Sequence, residues 1–370
     1  MNFIPEYLGK RIVIKVGTSI LASSAGELDI SYIKSLVQDI VSLYKLGKEI
    51  IIVSSGAIGA GMKKLEMKNR PKTIPLKQAC ASIGQSYLMH VYENHFQKNG
   101  QLVAQVLLTH RELSERKSYI NAYNTLSTLI DFKVIPIINE NDAIATEELK
   151  FGDNDILAAL VANLVGADTL IILTDVDGLW NEKEAKIIKV VEEINSTIFN
   201  MAQKTSKEIT TGGMNTKLTA ADIATKCGIT TIIANGKIPQ ILNKIINKQE
   251  IGTLFKAKKK PLVGRKRWIA YTLIPAGSIK VDSGAKYVIT EKGKSLLPSG
   301  ITEVHDDFEQ GDCIRIIDQE GVEFARGLVN YSSLELKKIK RKKTTQIEEI
   351  LGYKYYDEVV HRDNLVIVTP

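Results

Sequence analysis

Val134-Ile-Pro-Ile-Ile-Asn-Glu-Asn-Asp142, followed by Phe151-Gly-Asp-Asn-Asp155, joins an apolar run to two clusters of carboxylates and carboxamides. The apolar part, Val134 to Ile138, is too short to span a membrane and reads as a buried strand. In open α/β sheets the carboxyl ends of strands face the ligand crevice, so Asn139, Asn141 and Asp142 are expected to project into it. Asp153, Asn154 and Asp155 then open a helix expected over Ile156 to Leu164. Asp and Asn at that place also serve as helix caps, so each cluster alone has a structural as well as a functional explanation.

Strand and helix periods alternate on both sides of this stretch. Arg11 to Val16 is a predicted strand running into Gly17-Thr-Ser19, and apolar residues at helical spacing follow from about Ser31 to Leu46. Glu49 to Val53 is a second strand, and Ser54-Ser-Gly-Ala-Ile-Gly-Ala-Gly61 opens another helix. The order Gly56, Gly59, Gly61 is not the dinucleotide fingerprint, and no GxxxxGK[ST] occurs in the chain. The glycines suit an anion cradle, or equally a tight turn and close helix packing. Further predicted elements are a helix over Leu76 to Phe96, a strand over Gln101 to Leu108, a helix over Asn121 to Phe132, and strands over Thr169 to Leu173 and Gly228 to Ile233. Thr174-Asp-Val-Asp-Gly178 ends the first of these two strands, and Thr210 to Lys217 precedes a helix from Leu218 to Lys226. This alternation predicts an α/β fold with a mainly parallel sheet covered on both faces. Lys15, beside glycine and hydroxyls at the end of the first strand, is costly to bury unless an anion approaches; otherwise it snorkels to solvent.

With 370 residues and 44% hydrophobic content, the chain is long enough for two domains. No stretch approaches the roughly 18 apolar residues of a membrane span, and the start lacks a signal-peptide pattern, so a cytoplasmic chain without membrane contact is expected. Cys80, Cys227 and Cys313 are scattered and form no CxxC pair, which favours buried thiols over a disulfide framework or zinc site. The five histidines include no i, i+4 pair, so no protein-held metal is expected. The net charge is +7, and most of the excess follows residue 256. The clusters Lys256 to Lys260, Arg265 to Arg267 and Lys337 to Lys343 are compatible with an RNA surface, although a solvated basic surface explains them with fewer assumptions.

Six motifs taken together are specific: Ile14-Lys-Val-Gly-Thr-Ser19, Val53-Ser-Ser-Gly-Ala-Ile-Gly59, Ile138-Asn-Glu-Asn-Asp142, Phe151-Gly-Asp-Asn-Asp155, Thr174-Asp-Val-Asp-Gly-Leu179 and Thr211-Gly-Gly-Met-Asn-Thr-Lys217. In this order they resemble the amino acid kinase family, in its glutamate-phosphorylating branch; Thr210 stands where that branch has the first glycine of Gly-Thr-Gly-Gly. Asp282-Ser-Gly-Ala285, Ser295-Leu-Leu-Pro-Ser-Gly300, Phe308-Glu-Gln-Gly-Asp312 and Gly327-Leu-Val-Asn-Tyr-Ser332 resemble a PUA domain. Short strands with Gly and Asp turns independently suggest a small β barrel there.

The resemblance implies a three-layer α/β/α sandwich over residues 1–258, a basic linker over 259–274 and a PUA domain over 275–370. The implied reaction transfers the γ-phosphoryl group of ATP, with Mg²⁺ on its phosphates, to the side-chain carboxylate of L-glutamate, the first step of proline biosynthesis. Acetylglutamate and aspartate are the alternative acceptors, and RNA binding through the PUA domain is the alternative from another class. By the same resemblance Lys15 and Lys217 flank the transferred group with Asp153 between them. Ser54, Asp142 and Asn154 hold glutamate, and Lys15, Gly17, Thr174, Asp175, Thr211, Gly212, Gly213, Met214, Asn215, Thr216 and Lys217 face ATP. Feedback inhibition by proline and a homo-oligomer, dimer or tetramer, are further expectations of the resemblance. A carboxylate acceptor is already ionised at neutral pH, which agrees with the absence of a placed histidine base.

Overall fold

The computed structural model describes residues 8–22, 27–145, 154–182, 184–205, 213–259, 261 and 265–368. The chain divides into two compact units, Met1–Pro261 and Leu262–Pro370.

The strands of the first unit are β1 (Arg11–Val16), β2 (Glu49–Val53), β3 (Val103–Leu108), β4 (Ile135–Glu140), β5 (Thr169–Thr174), β6 (Trp180–Asn181), β7 (Lys186–Ile187), β8 (Val190–Val191), β9 (Thr230–Asn235) and β10 (Thr253–Phe255). Its helices are α1 (Thr18–Leu21), α2 (Ile30–Lys45), α3 (Ala57–Lys64), α4 (Ile74–Gln97), α5 (His110–Ser114), α6 (Arg116–Asp131), α7 (Asn154–Leu164), α8 (Ser196–Thr205), α9 (Met214–Lys226) and α10 (Ile241–Ile246). Eight strands form one sheet in the order β3-β4-β2-β1-β5-β9-β10-β8. The pairings from β3 to β9 are all parallel, while β10 pairs antiparallel with β9 and parallel with β8 at the edge. The strand quoted first above is therefore one in from an edge, while β1 and β5 hold the middle.

Strand alternation divides the core between two faces. Ile12, Ile14 and Val16 of β1, Ile50 and Ile52 of β2, and Ile171 and Leu173 of β5 pack with Leu36, Val37 and Ile40 of α2, Leu88 and Tyr92 of α4, and Leu242 of α10. The intervening residues, among them Val13 and Lys15, point to the other face. That face is covered by α7, in which Ile156 is the one residue not buried, and by α9. Helices on both sides of a mainly parallel sheet make the expected three-layer α/β/α arrangement. Because each parallel strand feeds a helix that returns over the sheet, the starts of α1, α3, α7 and α9 lie at the carboxyl end of the sheet.

Two of the glycines in the second motif have assigned work. Gly56 adopts φ 93° at the N-cap of α3, a conformation a Cβ disfavours. A Cβ on Gly61 would run into the Cys80 carbonyl of α4, and one on Gly84 into the Ala57 carbonyl of α3, so these two helices cross with their backbones in contact. The three cysteines are buried thiols.

In the second unit β11 (Gly277–Val281), β12 (Ile301–His305), β13 (Cys313–Ile317), β14 (Glu323–Leu328) and β15 (Leu365–Ile367) form a mixed sheet in the order β12-β11-β13-β14-β15. Ile279, Val281, Ile314, Ile316 and Phe324 make its core with Leu336 and Ile339 of a short helix, whose start is closed by a Ser332–Glu335 capping box. Within the expected linker, residues 265–271 are helical, and Ile269 and Ala270 pack on Cys313, Leu328 and Val366 of this second unit. Among the described residues no helix is long and apolar enough to cross a membrane.

Candidate active site

Three ionised side chains meet at the carboxyl end of β1. Lys15, 2% exposed, ends the strand on the face covered by α7 and α9, and its Nζ lies 2.6 Å from Asp155 Oδ1. Lys217, in the first turn of α9 and 6% exposed, donates to Asp155 Oδ2 at 3.2 Å. The Thr216 hydroxyl lies 3.3 Å from the same oxygen and 2.8 Å from the Gly213 carbonyl. Asp155 itself is wholly buried. Burying an ammonium without a counter-ion is strongly unfavourable, and two facing ammonium groups repel; one carboxylate between them answers both costs. Two ammonium groups held at one crevice are suited to meeting an anion.

Asp153, expected between the lysines, lies outside the described residues, as do Thr211 and Gly212 of the glycine loop. Among the described residues Asp155 makes both lysine contacts. Successive helical positions are about 100° apart, so Asp155 and its neighbour Asn154 serve different parts of the crevice.

Asn154 faces the ends of β2 and β4. Its Nδ2 donates to the Ser54 carbonyl at 2.6 Å and to Asn139 Oδ1 at 2.7 Å, with the Ser55 hydroxyl at 3.1 Å. Its amide hydrogens are thus engaged within the protein, which leaves its Oδ1 as the end not used in these bonds. Asn139 Oδ1 also accepts from the Glu140 backbone N–H at 2.9 Å, and its Nδ2 donates to Gln85 Oε1 at 2.8 Å. A line of neutral amides therefore runs from α7 to α4. Ser54 is fully buried, with its hydroxyl 3.2 Å from the Tyr92 phenol, on the α4 side of the sheet. Ser55 is the serine whose side chain meets Asn154, while Ser54 meets it through its backbone carbonyl. Asp142 lines a small pocket with Ala57, Gln85 and Asn141.

On the other side of β1, Gly17 N–H donates to the Leu173 carbonyl at 3.1 Å, and a Cβ on Gly17 would stand 3.7 Å from Lys15 Nζ. Thr174 is buried at the end of β5, its hydroxyl donating to Asp175 at 3.1 Å, while Asp175 is exposed. Asp177 accepts from Asn235 at 2.8 Å, tying the acidic turn to the end of β9. Gly213, Met214, Asn215 and Thr216 open α9, and no side chain caps that helix start. A helix start of this kind, with the positive end of the helix dipole behind it, favours an anion. The structure thus gathers Lys15, Gly17, Thr174, Gly213, Thr216 and Lys217 around one end of the crevice, and Asp142 and Asn154 around the other. Asn139 and Ser55 were visible in the motifs without a role. Gln85 carried no sequence signal at all, being one polar residue in a long helix.

Comparison with known proteins agrees with this arrangement. Residues 10–235 match the amino acid kinase family and residues 277–351 match the PUA domain. A glutamate 5-kinase of Thermoanaerobacter sp. (strain X514) is 52% identical over 97% of this chain and 98% of its own length. A glutamate 5-kinase of Geobacter sulfurreducens is 47% identical over 97% of this chain and 98% of its own. Among solved structures, a carbamate kinase from Giardia lamblia bound to AMP-PNP matches 68% of this chain and 99% of its own, with a TM-score of 0.51 and 20% identity, which shows the shared fold. Motifs, topology and full-length identity agree that the chain belongs to the amino acid kinase family, on its glutamate 5-kinase branch, and carries a PUA domain.

Proposed function

We infer that the protein transfers the γ-phosphoryl group of ATP to the side-chain carboxylate of L-glutamate, forming L-glutamyl 5-phosphate, the first step of proline biosynthesis. The observation that carries this reading is the pair of buried lysines that share Asp155 at the meeting point of two helix starts. The acceptor is ionised at neutral pH and needs no general base, so the work left for the protein is positioning and charge stabilisation.

Lys15 and Lys217 stabilise charge spreading over the transferred oxygens, and Asp155 holds both ammonium groups in place. The start of α9 supplies further donors to the phosphates, and Gly17, lacking a side chain, leaves room for them beside Lys15. Mg²⁺ enters with ATP as part of the nucleotide substrate. Among the described residues no cluster of three His, Cys, Asp or Glu side chains could hold a resident ion, and Asp155 is already engaged by two lysines. At the other end, Asp142 meets the α-ammonium group of glutamate, and Asn154 and Ser55 border the chain of the substrate. Acetylglutamate has no such cation to offer Asp142. Feedback inhibition by proline belongs to the same reading, since proline carries the same zwitterionic end.

The test is ATP-dependent hydroxamate formation with hydroxylamine from L-glutamate, with L-aspartate and N-acetylglutamate as controls. Glutamate should exceed both controls by at least tenfold; equal or greater turnover of either control overturns the acceptor assignment.

A further inference from the structure

Gln85 lies on α4, 7% exposed, and its Nε2 is a buried donor with no partner among the described residues. Its orientation follows from a chain of hydrogen bonds. The Glu140 N–H donates to Asn139 Oδ1, so Asn139 turns its Nδ2 toward Gln85, and Gln85 must offer Oε1 to it. Nε2 is then the end left over. A buried donor left unmade costs free energy of the order of a lost hydrogen bond, which marks the position as one awaiting an acceptor.

Gln85 lines a pocket of about 30 Å³ at the ends of β3 and β4, with Ala57, Leu107, Asn141 and Asp142. That is room for the tip of one polar group. Ala57 is the first residue of α3, whose start has no side-chain cap, so its backbone N–H groups also seek an acceptor. The contact of α3 and α4 through Gly61 and Gly84 sets Gln85 beside that helix start. Two sets of donors and one carboxylate, Asp142, therefore border one small space.

We propose that Gln85 is a specificity-determining residue for the acceptor: its Nε2, with the start of α3, receives the α-carboxylate of the amino acid substrate while Asp142 takes the α-ammonium group. The inference rests on the functional reading above and extends it to a residue on a different helix.

The experiment compares the wild-type chain with Gln85→Met and Gln85→Glu, using L-glutamate and its α-amide, in which the α-carboxylate is replaced by a carboxamide. Loss of a hydrogen bond to a charged group corresponds to roughly 10- to 100-fold. Gln85→Met should raise KM for L-glutamate by at least tenfold, leave kcat within about threefold and KM for ATP unchanged, and change KM for the α-amide by less than threefold. Gln85→Glu, which sets a carboxylate against the α-carboxylate, should raise KM for L-glutamate further; protection against thermal unfolding by L-glutamate alone gives the same ordering without turnover. An unchanged KM for L-glutamate in both variants, or an equal loss for L-glutamate and the α-amide, overturns the proposal. Absence of glutamate phosphorylation in the wild-type chain instead overturns the functional reading, independently of Gln85.

Discussion

The two ends of the crevice are built from opposite materials. At β1 the site is ionic, with two lysines and one aspartate taken almost completely out of water. At β4 the inward-facing groups are largely neutral amides, each oriented by the next, from Asn154 through Asn139 to Gln85. Phosphoryl transfer develops charge that must be met at a fixed place, so cations held by a buried counter-ion suit it. Recognition of an amino acid requires donors and acceptors of known direction more than net charge, and a backbone N–H at Glu140 sets that direction for the whole line.

The sharpest way to break this division is at Lys217. Lys217→Ala should lower kcat by about 10²-fold or more while KM for glutamate changes little, as expected for a group acting on the transition state. Steady-state kinetics decide it, and a variant altered only in KM would remove Lys217 from the transfer end. Asp155→Asn tests the counter-ion. It keeps the side-chain shape but removes the negative charge that two buried ammonium groups share, so the folded state should lose about 3–5 kcal/mol, measured by urea unfolding, and kcat should fall by about tenfold or more through misplacement of the lysines. Wild-type stability in that variant would show that the cluster is not held by charge pairing.

Smaller effects separate the two serines. Ser55→Ala should raise KM for glutamate by roughly tenfold with kcat nearly unchanged, because its hydroxyl belongs to the amide line. The Ser54 hydroxyl, by contrast, is buried against Tyr92. Tyr92→Phe should therefore cost about 1 kcal/mol of stability at neutral pH and leave KM for glutamate within twofold. Burial pushes the Tyr92 phenol up to about 12. The folded state thus favours the neutral phenol more than the unfolded chain does, and the stability this gives is present at neutral pH and lost as pH rises from about 10 toward that value. The Tyr92→Phe chain should lose less stability across that alkaline window in urea titrations. An identical alkaline loss in both chains would contradict the burial of that phenol.

Much of this was legible before any coordinates. Alternating periods predicted the parallel strands, and helix ends fell within a few residues of their predicted places, because apolar periodicity directly records which face is buried. Helix starts were harder: α7 begins at Asn154 and α9 at Met214, the latter earlier than the apolar pattern suggests, since the first turn of α9 carries functional residues instead of core ones. The glycines of the second motif also divided in a way spacing cannot show, Gly56 for a left-handed turn and Gly61 for helix contact.

By itself the sequence determined that Lys15 lies near the end of a buried strand, that Lys217 comes just ahead of an apolar helical pattern, and that acids and amides gather where strands stop. Only the tertiary structure decided how neighbours in the chain divide the crevice: Asp155 toward the lysines and Asn154 toward the amides, the Ser55 hydroxyl beside Asn154, and Gln85 at the far end of the amide line. The physical reason is angular and long-range. One residue in a helix turns the side chain by about 100°, one residue at a strand end turns it to the opposite face, and the partner that receives it comes from an element far away in the chain, as Asp155 and Lys217, or Gln85 and Asn139, do here.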